Sequence, residues 1–123
     1  MKIKPPIKLL QTIFIAVSIT GCKHPQPEGP TQSFSKDVQP IIISNCTQSG
    51  CHGSINPSEF SLLTYEEVMN NGEVRPGNAH NSKLYEVITK IGSEESMPKD
   101  NPPLSESQIK IIYLWIEQGA ENN

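Results

Sequence analysis

The sequence predicts a small all-α domain with long loops. Four segments carry helix-start or helix-stop signals, and no segment shows a convincing alternating strand pattern. A chain of 123 residues has room for one small domain and little else. With 19% charged and 35% apolar residues, the composition is that of an ordinary domain that folds in water.

The first helix is expected from about Lys36 to Asn45, with Ser35 as its N-cap. Pro40 falls near the end of the first turn, where a missing N–H costs little. One face of this helix carries apolar side chains at helical spacing, namely Phe34, Val38 and either Ile41 or Ile42.

The second helix is expected to begin at Thr64. Thr64 and Glu67 have the spacing of a capping box, and Leu63 and Val68 have that of a hydrophobic staple. The run Asn70-Asn71-Gly72 predicts its end.

The third helix is expected from about Ser82 to Ile91, ending at Gly92. The fourth has the strongest signals, because Ser105 and Gln108 form a capping box and Gly119 closes the helix. Its apolar side is lined by Ile109, Ile112 and Ile116, with Trp115 beside them.

A domain of about ninety residues with long Pro-rich loops buries little apolar surface by itself. The sequence therefore predicts an additional source of core, either a prosthetic group or a covalent cross-link.

The N-terminus has the features of an export signal. It begins with three lysines, Lys2, Lys4 and Lys8. A short apolar stretch follows from Leu9 to Ile19, and this stretch is too short for a permanent membrane span. The following Ile19-Thr20-Gly21-Cys22 resembles the bacterial lipobox, which implies cleavage before Cys22 and acylation of that residue. Several acyl chains together give stable membrane anchoring. An ordinary signal peptide with a chance cysteine is the alternative.

Three regions follow from this interpretation. Residues 1–21 are the signal peptide, residues 22–33 are the lipidated cysteine and a flexible tether, and residues 34–121 are the folded domain. The tether contains Pro25, Pro27, Gly29 and Pro30 and has almost no apolar residue, as extended linkers do.

Removal of the signal peptide makes the protein more acidic. The full chain has a formal charge of −3, and without the three lysines of the signal about −6 remains by the same count. No basic stripe is present, so nucleic acid is not an expected partner. A negative surface favours protein partners with positively charged docking patches.

Two cysteines remain once Cys22 is assigned to lipid, and both lie in Cys46-Thr47-Gln48-Ser49-Gly50-Cys51-His52. A cysteine pair that ends in Cys-His is the attachment signature of haem c. Two thiols add to the two vinyl groups of haem, and the adjacent His52 imidazole reaches the iron. Gly50 is able to adopt the unusual backbone dihedrals that the wide spacing requires.

Two other interpretations of these residues compete with haem attachment. A Cys46–Cys51 disulfide suits an exported protein, but it closes a small loop and leaves the core deficit unexplained. A zinc site is disfavoured because Cys51 and His52 are consecutive, so that their side chains diverge.

The candidates for a second axial ligand are Met97, His80 and Met69. Met97 follows a polar loop, precedes Pro98 and stands apart from any apolar stripe, which favours it as the ligand. Met69 lies beside Val68 on the second helix, where core packing is its usual role. His80 lies in a polar Asn-Ala-His-Asn run and is expected to face water.

A series of short motifs runs through the folded part from Phe34 to Ala120. They are Phe34-x-x-Asp37-Val38-x-Pro40-Ile41, Cys46, Cys51-His52-Gly53, Pro76-Gly77, Ser82-x-Leu84-Tyr85, Met97-Pro98, Leu104-Ser105 and Trp115-Ile116-x-x-Gly119-Ala120. In their order and spacing these motifs resemble the planctomycete-type cytochrome c domain. Four residues separate the cysteines where two are usual. The resemblance implies a class I cytochrome c-like fold of about four short helices around one haem, with its first and last helices crossing. It also implies proximal ligation by His52 and distal ligation by Met97.

The expected function is a membrane-tethered one-electron carrier with one covalent haem c. The alternative is a haem-free lipoprotein module that presents a Cys46–Cys51 disulfide to a partner. No Ser/His/Asp set, phosphate loop or His pair with catalytic metal spacing is present, so the protein is not expected to be an enzyme. The anchor places it in a bacterial envelope, with the domain in the periplasm or at the cell surface. Lys23 after Cys22 favours the outer membrane.

Overall fold

A computed structural model describes residues 25, 27–54 and 59–123. This part of the chain is helical and contains no strand, so the predicted all-α class is confirmed. The predicted signal peptide, residues 1–21, and the predicted lipidation site, Cys22, lie outside the described residues. The elements in order are a π-helical turn Phe34–Val38, α1 Gln39–Cys46, α2 Tyr65–Asn71, a 3-10 turn Ala79–Asn81, α3 Lys83–Thr89 and α4 Glu106–Glu117.

The opening helix begins earlier than predicted, and Ser33 caps it. Ser33 has extended backbone, and its Oγ accepts a hydrogen bond from the Lys36 N–H at 3.3 Å. In return the Ser33 N–H donates to Asp37 Oδ2 at 2.7 Å. The prediction of Ser35 as N-cap was therefore wrong, because Ser35 already lies inside the helix and its hydroxyl donates to the Asn123 carbonyl at 2.8 Å.

The π-helical turn is explained by Pro40. The ring of a proline inside a regular α-helix clashes with the carbonyl four residues earlier, and its nitrogen donates no hydrogen bond. The turn before Pro40 is widened instead, with the Gln39 N–H donating to the Phe34 carbonyl five residues back. Phe34, Val38, Ile41 and Ile42 are all buried, so the predicted apolar face is present.

The predicted capping boxes of the second and fourth helices are both confirmed. The fourth helix also ends as predicted, with Gly119 at φ +109°. The Gly119 N–H donates to the Ile116 carbonyl at 3.0 Å, and the Ala120 N–H donates to the Trp115 carbonyl at 2.8 Å. These two bonds form a Schellman motif, which satisfies carbonyls that a helix end otherwise leaves free.

The third helix ends at Thr89, two residues before the predicted Ile91. In a continuing helix the Val87 carbonyl accepts from the N–H of Ile91. Here it accepts from the Met97 N–H at 3.0 Å. The returning loop therefore takes the bond that would have extended the helix.

The core is centred on three aromatic rings that join the two ends of the domain. Phe34 lies 5.1 Å from Tyr65 and 5.4 Å from Trp115 between ring centroids. Trp115 is 1% exposed, and its indole N–H donates to the Glu121 carbonyl at 3.0 Å. The π-helical turn at the start of the opening helix therefore packs against α4, and α3 also packs on α4. The remaining core side chains include Val38, Ile42, Val68, Leu84, Ile88, Ile112 and Ile116.

The packed part of the chain starts a few residues before the predicted Phe34. Gln32 is buried, and its N–H donates to Gln118 Oε1 at 2.8 Å, while Gln118 Nε2 donates to the Pro30 carbonyl at 3.0 Å. Gly29 packs on Leu114, where an added Cβ would lie 2.9 Å from a side-chain methyl. This end of the predicted tether lies on α4 for that reason.

No helix in the described ranges is both long enough and apolar enough to cross a membrane.

Candidate functional site

The cysteine–histidine segment turns back on the end of α1. Cys46 is the last residue of that helix, half-buried and packed on the core. The His52 N–H donates to the Cys46 carbonyl at 2.9 Å, and the Cys51 N–H donates to the Gln48 carbonyl at 2.9 Å. These two bonds close the loop and bring the main chain of Cys46 and His52 together.

Two glycines permit this closed loop. Gly50 has φ +79°, in the left-handed region, as its place in the wide cysteine spacing predicted. Gly53 faces a different constraint, because a Cβ added there would lie 2.2 Å from the Thr47 carbonyl oxygen. The loop closes only because Gly53 has no side chain.

The His52 imidazole is held by the segment that follows the loop. Its Nδ1 lies 3.1 Å from the Phe60 carbonyl oxygen, which can only accept, so Nδ1 carries the proton. The Phe60 ring stacks on the imidazole with 4.4 Å between centroids and 16° between planes. The other nitrogen, Nε2, is thereby the one with a lone pair for a metal ion. Phe60 was missed at the sequence level, since its role depends on a backbone carbonyl.

Cys46 and Cys51 are free thiols in this structure. Burial and the neighbouring Cys51 raise the pKa of the Cys46 thiol from its ordinary 9.0 to about 11. The Cys46 thiol therefore stays protonated to a higher pH than a thiol in water, and its side chain packs on the apolar core. A protonated thiol is a weak nucleophile, because the thiolate is the reactive form.

Met97 is half-buried and lies at the end of a loop tied to α3. Its N–H donates to the Val87 carbonyl, as described above. Two residues earlier, Glu95 pairs with Lys90 at 2.7 Å and with Lys83 at 3.6 Å, and both lysines belong to or adjoin α3. Met97 is not among the side chains that pack on the core, whereas Met69 is. The predicted core packing of Met69 is confirmed, and the ligand role of Met97 stays a prediction.

His80, the alternative ligand, is exposed. Its ring contacts two tyrosines, with centroid distances of 5.4 Å to Tyr85 and 5.9 Å to Tyr113. The predicted exposure is confirmed, but the aromatic contacts were not predicted, because Tyr113 comes from α4, which is distant in sequence from His80 and Tyr85.

Two large apolar side chains are exposed in the described part of the chain, and both lie close in sequence to the predicted ligands. Ile43 is 41% exposed and precedes Cys46 by three residues. Ile91 is 69% exposed and lies on the loop that leads to Met97.

Two surface grooves lie in the described part of the domain. One of about 260 Å³ runs along the loop after Ile91, past Pro98, to Pro103. The second, of about 430 Å³, lies between the 3-10 turn, α3 and α4. Within the described ranges, no cluster of three or more His, Cys, Asp or Glu side chains is arranged to hold a metal ion.

Comparison of the chain with protein-family models, with curated proteins and with solved structures found no match. The functional conclusion therefore depends on the residues of this chain.

Proposed function

We propose that this chain is a single-haem c-type cytochrome that acts as a membrane-tethered one-electron carrier. The observation that carries the proposal is the closed loop from Cys46 to His52. It holds two thiols beside an imidazole whose Nδ1 is engaged by the Phe60 carbonyl. This is the donor set that covalent haem attachment and proximal ligation need.

The residues present fit a covalently held haem. Cys46 and Cys51 would form the two covalent links, and His52 Nε2 would be the proximal ligand. The Phe60 carbonyl would fix the ring orientation and raise the basicity of the imidazole, as second-shell acceptors do at metal sites. A bound haem supplies an Fe(III)/Fe(II) couple, which is the only chemistry that an electron carrier requires.

Met97 is proposed as the distal ligand. Its side chain is half-buried but does not pack on the core. Its loop is held on α3 by the hydrogen bond to the Val87 carbonyl and by the ion pairs of Glu95. A methionine opposite a histidine raises the reduction potential and closes the sixth position. The protein is therefore proposed to be a carrier and not an enzyme.

The exposed isoleucines support an apolar group at this site, because each lies close in sequence to a proposed ligand. A bound porphyrin that covered either side chain would remove apolar surface from water, at about 25 cal/mol for each Å². It would also add to the core of a small domain.

The resemblance to the planctomycete-type cytochrome c domain, with its class I fold, is part of the proposal. Its support is the packing of the opening helix on α4 through Phe34 and Trp115, since the resemblance implies crossing first and last helices.

The cellular setting is proposed from the lipobox-like segment. Acyl chains on Cys22 would anchor the protein in a bacterial envelope, at the outer membrane in preference to the inner, with the domain in the periplasm or at the cell surface. The partners would be redox proteins with positively charged patches, because about −6 of formal charge remains on the mature chain.

A denaturing gel tests the haem proposal. Protein from a host with a haem c maturation system should stain for haem after boiling in detergent, and its mass should exceed that of the lipidated polypeptide by one haem. The matched control is Cys46→Ser with Cys51→Ser, which should lose the stain. An unmodified or disulfide-linked Cys46–Cys51 peptide in the wild type would overturn the proposal in favour of the haem-free binding module.

A further inference from the structure

The groove of about 430 Å³ is lined by aromatic rings from three elements. The rings are His80 of the 3-10 turn, Tyr85 of α3 and Tyr113 of α4, with 5.6 Å between the two tyrosine centroids. All three rings contact one another. Ile109 also lines the groove, together with the charged side chains of Glu106 and Lys110.

The two tyrosine hydroxyls have no hydrogen-bond partner among the described residues. Tyr65 differs from them, because its hydroxyl donates to the Ala120 carbonyl at 2.8 Å. Tyr85 and Tyr113 are half-buried, so their rings are held by the domain while their polar ends are free to bind something else. Exposed aromatic rings with rigid backing are the residues that contribute most at protein interfaces.

The electrostatic surroundings of the groove are negative on balance. Glu117 lies near the groove residue Tyr85, since its charge acts on that side chain, and its Oε1 accepts from the Ala79 N–H at 2.7 Å. Burial raises the pKa of Tyr85, and the charges of Tyr113 and Glu117 raise it further. Glu106 adds a second carboxylate, and Lys110 is the single opposing charge among the groove residues.

We infer that this aromatic groove is the docking site for an arginine side chain of a basic redox partner. The inference rests on the proposed function and adds to it the surface and the chemistry of recognition. Aromatic faces attract a guanidinium by cation–π interaction and stacking. The free tyrosine hydroxyls and Glu106 can accept its N–H groups.

Lys110 and Glu106 allow a test of the charge of the bound ligand. If the ligand is a cation, removal of Lys110 strengthens binding, whereas removal of Glu106 weakens it. If the ligand is an anion or a neutral ring, these two changes act in the opposite sense or not at all.

The experiment is an NMR titration of the full-length protein in detergent micelles, reduced so that the iron is diamagnetic. The probe is N-acetyl-arginine methylamide, and the matched control probe is its neutral citrulline analogue. Arginine should shift the ring signals of Tyr85, Tyr113 and His80 before others, and citrulline should not. A visible spectrum recorded first establishes whether haem is present, so a failed titration of a haem-loaded sample counts against the docking site alone.

Five variants locate the effect. Tyr113→Leu should weaken arginine binding about two- to five-fold, and Tyr113→Phe should retain the ring contribution. Lys110→Ala should tighten binding, and Glu106→Gln should weaken it. Glu94→Gln, which removes an exposed carboxylate elsewhere, should leave binding unchanged. Equal shifts with citrulline, shifts only at other acidic sites, or no change in Tyr113→Leu would overturn the inference.

Discussion

The His52 imidazole is oriented by Phe60, a residue eight positions further along the chain. Because the Phe60 carbonyl engages Nδ1 at 3.1 Å, the imidazole has one tautomer and a defined free nitrogen. The residue type alone, His after Cys, predicts metal ligation but leaves tautomer and direction open. At the scale of one residue, the sequence determines that His52 is able to bind a metal ion, and the contact with Phe60 determines how its ring is oriented.

Met97 should be the distal ligand of the haem-loaded protein. Replacing it with Ala should abolish the weak near-infrared sulfur-to-iron band and lower the reduction potential by on the order of 100 mV, because a thioether ligand favours Fe(II). Absorbance spectra and redox titration of wild type and variant check this.

The matched control for that variant is Met69→Leu, which replaces a methionine packed on the core with a residue of similar volume. It should retain the band and the potential. If Met97→Ala leaves both unchanged, the distal role passes to His80 or Met69.

At the scale of the element, the loop after α1 depends on backbone bonds and a close approach. It is closed by the His52 N–H bond to Cys46, and Gly53 lies against the Thr47 carbonyl. The loop after α3 is held in the same way, because the Met97 N–H donates to the Val87 carbonyl. Both predicted ligand segments are thus held by main-chain hydrogen bonds to a helix end.

Gly53→Ala should disrupt the cysteine–histidine loop. The new Cβ would meet the Thr47 carbonyl oxygen at 2.2 Å, so the loop must open, at a cost of about 3 kcal/mol in the free energy of unfolding. The yield of haem-loaded protein should fall as well. Urea denaturation followed at the haem absorbance measures the first effect.

Gly50→Ala is the control for Gly53→Ala. No atom lies near an added Cβ at Gly50, so only its φ of +79° opposes the change, at about 1 kcal/mol. Equal losses at the two positions would show that the close approach at Gly53 does not determine the loop.

At the scale of the whole molecule, the two ends of the described chain meet. Asn123 accepts from the Phe34 N–H through Oδ1 at 2.8 Å and from the Ser35 N–H through its carbonyl at 2.9 Å. Gln118 holds the Pro30 segment on the other side of α4. The last helix therefore organises the domain around Trp115.

The haem should contribute a large part of the domain's stability. Cys46→Ala with Cys51→Ala should give a haem-free protein that unfolds without a sharp transition, because a domain of this size has a small core of its own. Thermal unfolding followed by circular dichroism checks this, with the haem-loaded wild type as reference. A sharp melt with native helicity in the double variant would show that the core suffices without haem.

Cys22→Ser should separate the domain from the membrane. Each acyl methylene buried in the bilayer contributes about 0.8 kcal/mol, so the lipidated protein should stay with membranes through a high-salt wash. The variant should either retain its signal peptide unprocessed or appear as a soluble haem protein. Correctly processed Cys22→Ser protein that still fractionates with membranes after the wash would mean that another element anchors it.

Signals that act within about four residues were predictable from the sequence. The capping boxes at Thr64 and Ser105 and the end at Gly119 are examples, since each is completed by bonds to its own turn. The all-α class and the predicted ligand set of Cys46, Cys51, His52 and Met97 also come from residue types and spacing.

Contacts between distant residues were decided only by the tertiary structure. The Ser35 hydroxyl bonds to the distant Asn123 carbonyl, and α3 stops early because a loop returns to Val87. The contacts of Tyr113 with His80 and Tyr85 are of the same kind. A local pattern specifies which bonds a residue is able to make, but only packing brings a distant partner within reach. The sequence by itself therefore determined the helices and the candidate ligands. The tertiary structure decided how the helices and the candidate ligands are oriented.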